Sequence, residues 1–128
     1  MPETTLRTTG IDHVVLYVSD IQRSKKFYLD VLGMSVADES PRHLFLSCGG
    51  QGLALFEPRD GAALETGREL NHLAFRIDAG TYEEIKARLE AHGLEVTGRR
   101  DNDRCIYFRD PDGHRLQLVV PDQRRGDG

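Results

Sequence analysis

Two histidines, His13 and His72, stand at the same place in two copies of one pattern. Ile11-Asp12-His13-Val14-Val15-Leu16-Tyr17-Val18 returns 59 residues later as Leu70-Asn71-His72-Leu73-Ala74-Phe75-Arg76-Ile77. Imidazole holds transition metals and moves protons near neutral pH. A pair of them at equivalent positions of a duplicated unit can converge on a shared seam, which lets a small protein assemble a metal site from residues far apart in sequence. Side chains alternate across a strand, so each strand offers two residue sets. One set is purely apolar: Val14/Leu16/Val18, Leu73/Phe75/Ile77, Ile106/Phe108 and Leu116/Leu118/Val120. The other set is mixed: His13/Val15/Tyr17, His72/Ala74/Arg76, Cys105/Tyr107/Arg109 and Gln117/Val119. The apolar sets should lie beneath helices. Both histidines then share the uncovered face with tyrosine, arginine and glutamine, the lining of a polar cavity.

The elements that must position this face are written twice. After the first strand, Ser19 or Asp20 suits a helix N-cap, and Ile21, Ser24, Phe27, Tyr28, Val31 and Leu32 make one stripe that Gly33 ends. Three short strands fit residues 34–39, 42–48 and 52–57, divided by Ser40-Pro41 and Gly49-Gly50. A connector, residues 58–69, leads to the copy. There Thr81 with Glu84 makes a capping box, and Tyr82, Ile85 and Leu89 give the buried stripe of a helix closed by Gly93. Strands are expected at 94–99, 104–109 and 114–120, with Asp110-Pro111-Asp112-Gly113 as the turn between the last two. The fold class is α+β, a single domain of two βαβββ modules: module one at about residues 10–58, module two at about 70–120, and a frayed charged tail at 121–128.

The 128 residues suffice for one core, and a net charge of -4 with 30% charged residues spread along the chain leaves no footprint for nucleic acid or an anionic membrane. No apolar run approaches a membrane span, and the first ten residues lack the apolar stretch of a signal peptide. The expectation is a cytoplasmic protein with Cys48 and Cys105 as free thiols.

His13, the Phe27-Tyr28-x-x-Val31-Leu32-Gly33 helix end, His72, and the run from Tyr107 through Asp110-Pro111-Asp112-Gly113 to Gln117-Leu118 together resemble the vicinal oxygen chelate superfamily. That group includes glyoxalases, extradiol dioxygenases, fosfomycin resistance thiol transferases and bleomycin resistance proteins. The resemblance spans residues 10–120. It implies paired modules forming an open, barrel-like mixed sheet, helices on the outer face, around a divalent metal. It assigns His13 and His72 as ligands, with the third at Gln117, where the family carries a glutamate after its Asp-Pro-Asp-Gly turn. Glutamine ligates through its carbonyl oxygen but brings no charge, so affinity should fall relative to a carboxylate. Ala54 occupies the symmetry-equivalent place of a fourth ligand and cannot serve. Glu57, three residues on, has the wrong strand parity unless a bulge intervenes.

By the same resemblance Tyr107 matches a substrate-binding tyrosine, in reach of a substrate oxygen or oxyanion. Among Arg76, Arg99, Arg104 and Arg109, whose guanidinium suits bidentate recognition, Arg76 and Arg109 are the candidates for binding a substrate anion. Iron or manganese would permit oxygen chemistry. Zinc, nickel or magnesium would favour isomerisation, hydrolysis or thiol addition on a small oxygen-chelating substrate. A homodimer is implied, with the metal site inside one chain or shared between two. The alternative is a metal-free small-molecule binding protein of the bleomycin resistance kind. His43, His92 and His114, beside turns or at a helix end, read as surface histidines.

Overall fold

The computed structural model describes residues 4–98, 102 and 105–120. The first module runs β1 (His13–Tyr17), α1 (Ile21–Asp30), β2 (Ser35–Ser40), β3 (His43–Cys48) and β4 (Gln51–Phe56). The second runs β5 (Leu73–Arg76), α2 (Tyr82–Ala91), β6 (Thr97–Gly98), β7 (Ile106–Arg109) and β8 (Arg115–Val119). Each module folds into its own four-stranded sheet, in the orders β1-β4-β3-β2 and β5-β8-β7-β6. In both, the first strand lies parallel to the last and the other pairs are antiparallel. Among the described residues no ladder joins the sheets, so the α+β architecture is open rather than closed into a barrel.

The apolar sets face the core as their alternation requires. Leu16, Val18, Leu44, Leu46, Leu53 and Leu55 of the first module and Ile106, Phe108, Leu116 and Leu118 of the second are buried, together with Ile21, Phe27 and Tyr28 of α1 and Tyr82, Ile85 and Leu89 of α2. Each large apolar side chain so placed contributes about 1.5–3 kcal/mol. Both helix starts are capped. Asp20 Oδ1 accepts from the Gln22 and Arg23 amides at 3.0 and 3.2 Å, and Glu57 Oε2 accepts from the Ile21 amide at 2.9 Å. The capping box of α2 forms in both directions: Glu84 N–H donates to Thr81 Oγ1 and Thr81 N–H to Glu84 Oε1. The Thr81 backbone bond leads in holding the Glu84 carboxyl below its usual range, with the Thr81 side chain next.

Two elements are shorter than their patterns suggest. The α1 helix ends at Asp30, with Val31 as C-cap and Gly33 at φ +68°. The strand expected at 94–99 reduces to β6; Gly98, at φ +126°, passes so close to the Cys105 carbonyl that a Cβ there would collide with it. Arg99 and Arg104, at the ends of two expected strands, and the tail at 121–128 lie outside the described residues.

The modules are clasped by the turn between β7 and β8. Tyr28 O–H donates to Asp110 Oδ2 at 2.7 Å, and Asp110 Oδ1 accepts from the Asp112 and His114 amides at 3.0 and 2.9 Å. Asp112 reaches back to Ser19 N–H at 3.1 Å and pairs with Arg23 at 3.1 Å. The His114 ring donates through Nε2 to the Tyr17 carbonyl at 2.7 Å. His114 is therefore not a surface residue: it is buried, because the outer edge of β1 presents a carbonyl that needs a donor. His43 also departs from the surface expectation. It is half-buried, 5.4 and 5.3 Å from the Phe45 and Phe56 rings, with Nδ1 bonded to Ser40 Oγ at 2.7 Å. His92 is exposed at the α2 C-cap, as its position suggests.

Candidate metal and substrate site

Strand register gathers most of the expected residues on one sheet. Gln117 of β8 stands opposite Ala74 of β5 on one side and Tyr107 of β7 on the other. His72 and Arg115 lie one pleat away on the same face. The His72 and Tyr107 rings meet edge to face at 5.8 Å, and the Arg115 guanidinium carbon sits 4.1 Å from the centre of the Tyr107 ring. This face combines an imidazole, an amide, a phenol and a fixed cation, suited to a divalent ion beside an anionic substrate.

His13 occupies the matching place on the first sheet, opposite Gly52. A Cβ on Gly52 would lie 3.1 Å from the His13 Cβ, so this glycine makes room for the imidazole. Both histidines are oriented alike. His13 Nδ1 is 2.8 Å from Asp12 Oδ1, and His72 Nδ1 is 2.8 Å from Asn71 Oδ1. These oxygens only accept, so each Nδ1 carries the proton and each Nε2 keeps its lone pair for a ligand.

His72, Tyr107 and Gln117 come together within one sheet, whereas His13 belongs to the other. Among the described residues no three His, Cys, Asp or Glu side chains cluster as a metal site. A set of two histidines and a glutamine holds only two such residues, and its chemistry, paired lone pairs with an amide oxygen, fits a divalent ion of borderline character. Ala54 pairs with Val15 and Phe45 as Gln117 pairs with Ala74 and Tyr107, so the module-one counterpart of Gln117 has nothing to ligate with. Glu57 is engaged at the start of α1.

Of the two arginines expected to bind substrate, Arg109 donates to the Gly113 carbonyl at 2.8 Å within its own hairpin, and Arg76 is exposed at the end of β5. Arg115, on Tyr107, was missed. Its signal was present: residue 115 has the parity of Gln117, two positions earlier. Cys48 is half-buried, and burial pushes its thiol up, so it is no activated nucleophile.

Two βαβββ modules, each with an imidazole at the start of its first strand or just before it, define a duplicated α+β class of protein. The chain belongs to the Glyoxalase/Bleomycin resistance protein/Dioxygenase superfamily, whose family model matches residues 10–118. It is 36% identical over 113 residues to the metallothiol transferase FosB of Staphylococcus saprophyticus, covering 85% of this chain and 75% of that protein. It is 29% identical over 113 residues to the glutathione transferase FosA of Serratia marcescens, covering 87% and 80%. In fold it resembles the fosfomycin resistance protein FosX of Listeria monocytogenes, with a TM-score of 0.74, 24% identity and coverage of 94% and 98%. No helix among the described residues is long and apolar enough to cross a membrane.

Proposed function

We propose that this protein is a metal-dependent thiol transferase acting on a small phosphonate of the fosfomycin kind. The observation that carries the reading is the face shared by His72, Tyr107, Arg115 and Gln117, in a chain similar to FosB and FosA. His13, His72 and Gln117 hold the ion, with manganese, nickel, zinc or magnesium suited to chemistry without electron transfer. A bound ion supplies Lewis acidity that polarises the carbon–oxygen bond to be broken. Arg115 faces the phosphonate as a bidentate cation, and Tyr107 donates its hydroxyl hydrogen to a substrate oxygen. The thiol comes from a second small molecule, since Cys48 is not activated. Its sulfur forms the bond to carbon as the carbon–oxygen bond breaks, and the proton lost by the thiol ends on the freed oxygen.

The two halves of the site join in a cytoplasmic homodimer, each chain acting as one domain. Ile11, Val15 and Tyr17, 68%, 43% and 57% exposed beside His13, offer an apolar surface for the partner chain. The test is mass spectrometry of fosfomycin incubated with the protein, cysteine or glutathione, and each metal in turn. The expected result is a thiol adduct, reduced about a hundredfold in Tyr107→Phe. Metal binding without adduct would remove this substrate. Neutral Gln117 favours the bleomycin-type alternative, and fosfomycin binding by metal-free protein would support it.

A further inference from the structure

We propose that Asp12 supplies, through His13, the negative charge that Gln117 lacks, as a positioning residue for the bound cation. The inference rests on the metal-centre reading and goes beyond it. The duplication makes the argument. Asp12 and Asn71 precede equivalent histidines, and each places a side-chain oxygen 2.8 Å from the following Nδ1. For fixing the tautomer and aiming Nε2 an amide oxygen suffices, as Asn71 demonstrates. Asp12 does the same with a full negative charge. Two neutral imidazoles and a neutral amide leave a dication uncompensated by any ligand. A carboxylate hydrogen-bonded to the far nitrogen of a ligating imidazole raises the basicity of the near one. The Asp12 side chain is 97% exposed, so the contribution is screened by salt.

The test titrates metal-depleted full-length protein with Mn(II) or Zn(II) alone, by calorimetry or chelator competition, at low and high salt. Asp12→Asn keeps the hydrogen bond and removes the charge, and should weaken binding about tenfold at low salt, less at high salt. Asn71→Asp should tighten it by a similar factor, a gain that misfolding does not produce. Asp12→Ala loses charge and orientation and should be weakest. Equal affinity of wild type and Asp12→Asn, with binding lost in His13→Ala, would overturn the role of charge and leave Asp12 an orienting residue like Asn71. Wild type that takes up neither metal, or binds as well in His13→Ala, would overturn the metal-centre reading and this proposal with it.

Discussion

The two modules share one topology and differ position by position in what they place on the histidine face. At equivalent positions of the two modules His13 corresponds to His72, Phe45 to Tyr107, Ala54 to Gln117 and Gly52 to Arg115. Module one thus sets an imidazole among apolar and small groups; module two sets one among a phenol, an amide and a guanidinium. The turns differ in the same way. Gly49-Gly50 reverses the chain between β3 and β4 with no side chain at all, Gly49 at φ +60°. The corresponding turn in module two carries Asp110 and Asp112, which bind the other module. Duplication preserved the scaffold, while module two carries the polar face and the fastening turn.

That asymmetry is sharpest at Asp110. Removing it in Asp110→Ala leaves the Tyr28 hydroxyl and the Asp112 and His114 amides without their acceptor, and should destabilise the protein by about 3–5 kcal/mol in urea denaturation. A loss under about 1 kcal/mol would show that the turn closes a hairpin and nothing more.

Tyr28→Phe removes one bond of that set and should cost about 1.5–3 kcal/mol at neutral pH. Its pH dependence identifies the cause. Burial raises the Tyr28 phenol above its ordinary value, reinforced by the Asp110 charge, the Asp110 hydrogen bond and the Asp112 charge. The folded state therefore holds this proton more tightly than the unfolded one. The stabilisation is complete below the unfolded pKa of about 10 and is lost as pH rises above it. The gap between wild type and Tyr28→Phe should narrow in alkaline denaturation curves; a constant gap would contradict the clasp's electrostatics.

The smallest effect on folding is expected at Gly52, where module one makes room for its imidazole. Gly52→Ala should shift His13 by a few tenths of an ångström. It should change stability by under about 1 kcal/mol while weakening metal uptake. A stable variant with unchanged metal affinity would mean that His13 is held elsewhere.

Much of this was legible in the sequence because it is local. The alternation of Val14, Leu16 and Val18 and the Thr81–Glu84 spacing specify strand faces and a cap within a few residues. The equivalence of His13 and His72, and the vacancy at Ala54, followed from the repeat. What escaped depends on contacts across the chain. His114 looks like a turn residue until Tyr17 is seen to lie over it, 97 positions away. Asp110 and Asp112 read as turn chemistry, and nothing near them reveals Tyr28 or Ser19 as partners. Arg115 had the right parity, but its stacking on Tyr107 depends on the β7–β8 register.

The most direct test of the central claim, that the duplicated histidines hold one metal between two modules, is metal content by mass spectrometry. It should be read on wild type, on His13→Ala, on His72→Ala and on the two variants refolded together. The account predicts about one divalent ion per chain in wild type, none in either variant alone, and partial recovery in the mixture as one intact site re-forms across each mixed dimer. Metal retained by either single variant, or wild type that stays empty after dialysis against manganese, nickel and zinc, would contradict it.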